Sequence, residues 1–110
     1  MEKTVITVTE ENAAEVLANM EANTVYEISG SLTVPFINVV GSGAEISYVG
    51  SDDGTITTTD GTKRGIYIQS GASLTVSGTS KKLTIDMSQS KESRATVDDS
   101  ATLTLKKMPL

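Results

Sequence analysis

The side chains of this sequence that could do chemistry are chiefly aspartates, most of which stand beside glycine or serine. Asp52, Asp53 and Asp60 are the candidate calcium ligands. Calcium takes six to eight oxygen ligands that converge on one point. The alternative is that each aspartate bonds its own backbone in a turn, a common role for Asp beside Gly. The same two interpretations apply to Asp86, Asp98 and Asp99.

A second kind of site would bind a ligand without catalysis, and for this the aromatic residues matter. Sugar sites commonly use an exposed aromatic platform, and the chain holds one Phe, three Tyr and no Trp. Tyr67 stands between Ile66 and Ile68, so in a strand it points outward when the two isoleucines point inward. Tyr67 is therefore the candidate ligand-binding residue, with cross-strand packing as the alternative role. Tyr48 falls at an inward position of the same alternating pattern.

The composition excludes several kinds of site. Without His and Cys there is no disulfide framework, thiolate nucleophile or histidine-dependent triad, and zinc loses its usual ligands. A net charge of -5 and a pI near 4.6 argue against nucleic-acid binding, which needs clustered Lys and Arg. Gly41-Ser42-Gly43 lacks the third glycine and the following helix of a dinucleotide site. We predict no catalytic residue, and no cofactor apart from the calcium considered above.

The N-terminal sequence and the hydropathy bear on location. No apolar segment follows a basic start, so no signal peptide is predicted, and no 18-residue apolar run is present to span a membrane. Two locations remain open. The cell surface or the extracellular space is favoured if an export signal has been removed, and the cytoplasm is favoured if Met1 is native.

One stretch near the N-terminus has helical periodicity. Thr9 is the predicted N-cap of this helix, and Asn23 can adopt the left-handed conformation that ends one. The sequence predicts a helix over about residues 10–22, preceded by a strand over residues 4–8. Four apolar residues recur at intervals of three and four and so share one helical face, namely Ala13, Val16, Leu17 and Met20.

From residue 24 onward the apolar residues alternate, which is the period of a strand. Turn residues such as Ser29-Gly30 and Asp60-Gly61 separate the short runs. Strands this short do not suit an ordinary sandwich, so their core must be built in another way. The predicted strands are residues 25–28, 31–34, 37–40, 45–49, 55–58, 66–68, 73–76, 83–86, 95–97 and 102–105.

An internal repeat indicates how the core is built. Residues 65–76 align with residues 94–105 at an offset of 29, and residues 43–48 align with residues 71–76 at an offset of 28. A shorter copy over residues 28–34 begins the series. Each copy reads as a strand, a tight corner and a second strand, and a repeat of this length with three short strands is typical of one coil of a parallel β-solenoid.

In such a solenoid each strand pairs with its equivalent in the next coil, and the inward aliphatic residues stack into a column. The alternative is a small β-sandwich, whose antiparallel runs would need two-residue hairpin turns. The solenoid is the preferred prediction because several copies of the repeat occur in order. The predicted column comprises Ile28, Leu32, Val34, Ile46, Ile68, Leu74, Val76, Val97, Leu103 and Leu105.

The chain also resembles a known family. The run from Thr4 to Thr9, the amphipathic helix behind it and the run from Asn23 to Gly30 are similar to the opening of right-handed parallel β-helix proteins of the pectate-lyase-like group. The Gly-Ala-Ser-Leu-Thr-Val run at residues 71–76 resembles coils of bacterial surface β-helix proteins. The resemblance covers nearly the whole chain and is to the non-catalytic bacterial surface or phage type. Lyases of the group hold calcium with acidic residues and use an Arg or Lys as base, so the resemblance implies Lys63, Arg64 and Arg94 as candidate bases.

The resemblance and the repeat together predict a mainly β fold. The fold is a short right-handed parallel β-helix of about three to four coils, capped by an N-terminal strand and an α-helix. It is expected to form a single domain over residues 1–110, with the cap over residues 1–23 and the coils over residues 24–110. The C-terminal coil has no predicted cap. The chain is therefore expected to form a homo-oligomer, a dimer through that coil, or to be a fragment of a longer solenoid.

Three functions from different classes remain open. The first is a non-enzymatic structural or adhesive module of a bacterial surface protein or phage fibre, which the repeat and the Ser/Thr-rich outward positions favour. The second is a small polysaccharide-binding or polysaccharide-active relative of pectate lyase. The third is an acidic phage-encoded inhibitor whose carboxylates imitate nucleic-acid phosphates. The expected partner is a protein or glycan surface.

Overall fold

The protein is mainly β. The computed structural model describes residues 3–78, 81–91, 95–97 and 101–105. Short β-branched runs between turn residues account for the short strands. In chain order the elements are β1 (Thr4–Thr7), α1 (Ala13–Leu17), β2 (Thr24–Ile28), β3 (Leu32–Val34), β4 (Ile37–Val39), β5 (Ala44–Tyr48), β6 (Gly54–Thr58), β7 (Ile66–Ile68), β8 (Ser73–Gly78), β9 (Leu83–Asp86), β10 (Ala95–Val97) and β11 (Thr102–Leu105).

The strands form three parallel sheets, which the chain visits in rotation. Sheet 1 has the order β1-β2-β5-β8-β11, sheet 2 the order β3-β6-β9 and sheet 3 the order β4-β7-β10. From β2 to β8, each strand pairs with the third strand after it. We call one passage through sheets 1, 2 and 3 a circuit. Because these pairings are parallel, the antiparallel sandwich alternative is wrong for the described strands.

The strand register confirms one predicted repeat offset and corrects the other. Ile68 pairs with Val97, at the predicted offset of 29. Ala44, however, pairs with Leu74 and not with Ala72, so the offset from β5 to β8 is 30 and not 28. A slip of two residues leaves every side chain on its predicted face, because side chains alternate along a strand.

The shorter copy over residues 28–34 is not equivalent to the later copies. It passes from β2 in sheet 1 to β3 in sheet 2, whereas residues 66–76 pass from sheet 3 to sheet 1. The two copies share a left-handed glycine at the corner, with φ of 80° at Gly30 and 81° at Gly71. Glycine adopts this conformation without the steric penalty of a Cβ, so the local resemblance reflects similar corners in different places.

The inward residues of the strands form one core. Val97 has the predicted register with the buried Ile68, but 43% of it is exposed. Leu103 and Leu105 pair with Leu74 and Val76, but their side chains lie outside the described residues. The other predicted members of the column are buried, namely Ile28, Leu32, Val34, Ile46, Ile68, Leu74 and Val76.

The helix is much shorter than predicted. It covers Ala13–Leu17, and not residues 10–22. Thr9 and Asn12 form a reciprocal pair at its start: the Asn12 N–H donates to the Thr9 hydroxyl at 3.4 Å, and the Thr9 N–H donates to Asn12 Oδ1 at 2.8 Å. This arrangement resembles a capping box, so Thr9 does act on the first turn even though Asn12 directly precedes the helix.

Sheet pairing ends the helix early. Met20 forms a parallel bridge with Val39, and its N–H donates to the carbonyl of Asn38 at 3.0 Å. Asn23 has the predicted left-handed conformation, with φ of 50°, but it leads into β2 and does not end the helix. The predicted apolar face is otherwise confirmed, since Ala13, Leu17 and Met20 are buried.

Two buried tyrosines hold the corners of the first circuits. Tyr26 accepts a hydrogen bond from the Glu21 N–H at 2.8 Å. Tyr48 accepts one from the Gly30 N–H at 3.1 Å and donates to the carbonyl of Asp52. A Cβ at Gly50 would lie 2.4 Å from the Tyr48 hydroxyl, so this corner closes tightly on the ring. The inward position predicted for Tyr48 is confirmed.

Candidate functional site

A groove of about 380 Å³ lies on the outer surface of sheet 3. Its floor is polar. Asn38 in β4 and Tyr67 in β7 are direct neighbours in the strand register and are partly exposed, while the residues on either side of them are buried. Gln69 follows β7 and donates from Nε2 to Asn38 Oδ1 at 3.2 Å. The floor therefore offers a phenol ring beside two amides.

The walls of the groove come from the connections between sheets 2 and 3. These connections lengthen from residues 35–36 in the first circuit to residues 59–65 in the second and 87–94 in the third. Lys63 and Arg64 of the second connection and Lys91 of the third line the groove. The Lys91 N–H donates to the carbonyl of Lys63 at 2.9 Å, so the third connection lies directly against the second. The longer second and third connections thus place three cationic residues beside the floor of the same groove.

Each aromatic ring of the groove has a cation over it. The Lys63 ammonium lies 5.8 Å from the centre of the Phe36 ring, and the Arg64 guanidinium lies 5.8 Å from the centre of the Tyr67 ring. At exposed positions such contacts contribute about 0.5–1 kcal/mol. This attraction holds Lys63 beside Phe36 and Arg64 over Tyr67.

Asp60 holds the turn that carries two of these cations. Its Oδ1 accepts the Thr62 hydroxyl at 2.6 Å and the Thr62 N–H at 2.8 Å, and its carbonyl accepts the Lys63 N–H at 3.1 Å. The Thr62 hydroxyl, the Thr62 N–H and the nearby charge of Lys63 lower the pKa of Asp60 below its ordinary value. The carboxylate therefore serves the turn that presents Lys63 and Arg64.

The groove is positive although the chain is acidic. The net charge of the chain is -5, yet Lys63, Arg64 and Lys91 line the groove, and none of the lining residues that the structure describes is acidic. Concentrated charge of one sign attracts ligands of the opposite sign. The groove is thus suited to an anion.

The calcium candidates do not meet at one point. Asp53 accepts the Lys82 N–H at 2.9 Å, and Asp60 serves its own turn. The Ser88 hydroxyl and N–H lower the pKa of Asp86 in the same way. In the part of the chain that the structure describes, no group of three or more acidic side chains is placed to hold a metal ion. The contacts of Asp60 and Asp86 support the turn interpretation, whereas Asp53 bonds a distant segment. Calcium binding by Asp52, Asp53 and Asp60 stays a prediction.

The remaining predicted residues divide into those in the groove and those outside the described ranges. Tyr67 has the predicted outward position, and its ligand role stays a prediction. Lys63 and Arg64, considered as bases in the sequence, lie beside it. Asp98, Asp99 and Arg94 fall outside the described residues.

Sequence reasoning missed the rest of the groove. Asn38 and Gln69 stand at outward positions of Ile37-Asn38-Val39 and of the residue after β7, so the alternating pattern could have identified them. Phe36 and Lys91 lie in connections, where alternation gives no signal.

Comparisons with known proteins leave the groove as the main source of functional information. No family model, curated protein or solved structure matches the chain. No helix within the described residues has the length and apolar character needed to cross a membrane. The function must therefore be argued from the residues of the groove.

Proposed function

We propose that the protein is a non-enzymatic adhesive module whose binding surface is the groove on sheet 3. In this proposal the circuits are the coils of a short right-handed parallel β-helix of about three to four coils, with β1 and α1 as its N-terminal cap. The pairing of each strand with the third strand after it supports this fold. Parallel crossover connections within a sheet are right-handed in nearly all proteins.

The chemistry of the groove carries the proposal. Lys63, Arg64 and Lys91 supply positive charge, Tyr67 supplies a ring, and Asn38 with Gln69 supplies hydrogen-bonding amides. These groups recognise and hold a ligand.

A polysaccharide is the partner that the groove favours over a protein surface. Tyr67 is partly exposed between the buried Ile66 and Ile68 of β7, and the amides beside it can bond hydroxyl groups. The polysaccharide-binding alternative therefore joins the adhesive proposal. The acidic-inhibitor alternative gains no support here, since the groove is cationic.

The last circuit supports a proposal about assembly. Val97 in β10 is 43% exposed, whereas the equivalent Ile68 in β7 is buried. A further layer of strands would bury Val97 in the same way. We therefore propose that a second copy pairs through this end, as a dimer, or that further coils follow it in a longer solenoid.

A glycan array would test the binding function. We expect the wild-type protein to bind acidic glycans and the variant K63Q/K91Q to lose most of that binding. The matched control K81Q/K82Q removes the same charge from two exposed lysines outside the groove. Equal binding by K63Q/K91Q and wild type would refute the groove as the binding surface. Depolymerisation of a polyuronate with added calcium would favour the enzymatic alternative instead.

A further inference from the structure

One buried threonine of the core is not explained by packing. Thr58 is fully buried at an inward position of β6, and its neighbour in the strand register, Val34 of β3, is apolar. Val and Thr fill similar volumes but differ by a hydroxyl, and a buried hydroxyl without a hydrogen-bond partner is costly. The threonine is therefore explained by the hydrogen bonds that its hydroxyl makes.

These hydrogen bonds reach into the third circuit. The Thr58 Oγ1 lies 2.6 Å from the Ser90 Oγ and 3.4 Å from the carbonyl oxygen of Asp86. The Ser90 hydroxyl also lies 3.3 Å from the carbonyl oxygen of Thr58. Ser90 belongs to the third connection, so the hydroxyl pair of Thr58 and Ser90 joins that connection to the end of β6.

The same threonine also borders the second connection. A Cβ at Gly65 would lie 2.8 Å from the Thr58 Oγ1, so the last residue of the second connection packs directly against this hydroxyl. Lys91 follows Ser90 in the chain, lines the groove and donates its N–H to the carbonyl of Lys63. The hydroxyl pair is thus one residue away from the hydrogen bond that joins the two connections.

We propose that Thr58 and Ser90 are positioning residues of the groove. Their hydroxyl pair sets where the third connection lies, and through it the place of Lys91 in the lining. Hydrogen bonds are directional, so they can fix one position of a connection that apolar packing alone would leave free to shift. This inference rests on the proposed function for its binding test, because Lys91 belongs to the proposed binding surface.

Hydrogen exchange of the full chain, followed by nuclear magnetic resonance, tests the position of the connection without any ligand. Thr58→Val keeps the volume of the side chain and removes its hydroxyl. We expect the Lys91 amide to exchange roughly tenfold faster in this variant, since a lost buried hydrogen bond changes a local opening equilibrium by about that factor. Thr58→Ser keeps the hydroxyl, so its Lys91 amide should exchange more slowly than that of Thr58→Val.

A matched control separates this effect from general destabilisation. Thr24 is also buried, and its hydroxyl donates to the carbonyl of Ala22 at 2.9 Å, at the start of β2 in sheet 1. Thr24→Val should therefore leave the exchange of the Lys91 amide unchanged. Ser90→Ala removes the other hydroxyl of the pair from a partly exposed residue, so it tests the same bond if Thr58→Val fails to fold. Lys91 exchange that is unchanged in Ser90→Ala, or raised equally by Thr24→Val, would overturn the proposal.

Glycan binding tests whether the hydroxyl pair acts through Lys91. T58V should weaken binding of acidic glycans on an array, and T58V/K91Q should bind no more weakly than K91Q alone, because changes that act through one group do not add. Additive losses would overturn positioning through Lys91. If the wild type binds no acidic glycan, the proposed function fails, and the exchange of the Lys91 amide still decides whether the hydroxyl pair positions the third connection.

Discussion

Replacing Tyr48 by phenylalanine should destabilise the protein more than the same change at Tyr26. Both rings are buried in sheet 1, so each substitution removes a hydroxyl and leaves the apolar packing in place. The Tyr48 hydroxyl has two partners, the Gly30 N–H and the Asp52 carbonyl, whereas the structure gives the Tyr26 hydroxyl one partner, the Glu21 N–H. The two substitutions therefore compare two lost bonds with one.

The magnitude follows from the surroundings of these partners. Gly30 and Asp52 are exposed residues, so water can reach part of the groups that lose the hydroxyl. Each lost bond then costs about 1 kcal/mol, near the net value for a protein hydrogen bond. We expect about 2 kcal/mol for Tyr48→Phe and about 1 kcal/mol for Tyr26→Phe. The close approach of Gly50 and Gly54 to the Tyr48 hydroxyl adds a small void to the first figure.

Equilibrium unfolding in urea, followed by circular dichroism, measures both values. The slope of the unfolding free energy with urea should stay constant across the wild type and the two variants, so that midpoints report stability. The reasoning is refuted if Tyr48→Phe costs less than Tyr26→Phe, or if it costs less than about 0.5 kcal/mol, within the scatter of ordinary surface changes.

Four further outcomes are expected. Leu74→Ala should cost about 2–5 kcal/mol because the side chain is buried in the core, and a loss under about 0.5 kcal/mol in urea unfolding would contradict that placement. Deletion of residues 1–22 should give aggregates in size-exclusion chromatography, because it removes β1 and the buried Leu17. A soluble, cooperatively folded product would contradict the capping role of β1 and α1. Light scattering over a dilution series should detect a dimer, and a strict monomer at high concentration would count against end-to-end pairing. The hydrogen bonds that lower the pKa of Asp60 and Asp86 stabilise the fold above about pH 4. This stabilisation is lost as pH falls through the pKa values of the folded state, so the thermal midpoint should fall on acidification. The fall should be smaller in Asp60→Asn.

The strands and their faces could be predicted because one physical rule governs them throughout. Apolar residues alternate along each run, and a parallel arrangement lets every inward residue contact the core. The predicted faces stay correct even where the repeat was misaligned. Ala44 pairs with Leu74 and not with Ala72, and a shift of two residues leaves each side chain on the same face of the sheet. No comparable rule fixes where the helix ends. Its predicted last turn is replaced by the bridge of Met20 to Val39, a pairing between residues that are distant in the sequence.

The groove could be predicted only in part. Tyr67 is identified by alternation within β7, but the cations beside it sit on connections of unequal length. Their position depends on how the second and third connections lie against each other, through the bond from Lys91 to the carbonyl of Lys63. No periodicity in the sequence encodes that contact. Asp60 and Asp86 were recognisable as turn formers, because each accepts a hydrogen bond from the residue two positions later in the chain. The bond that Asp53 accepts from the distant Lys82 has no such local signal.

The connections between sheets 2 and 3 differ in length, but the strands that follow them pair in the same way. Ile37 pairs with Ile66, and Ile66 with Ala95, whether the preceding connection is residues 35–36, 59–65 or 87–94. Longer loops cost little additional closure entropy, so insertions at this corner can alter the ligand while the stacked layers persist. The two longer connections can therefore vary during evolution while the sheets stay the same. A library of sequences grafted between Thr59 and Arg64 would be displayed on an unchanged fold.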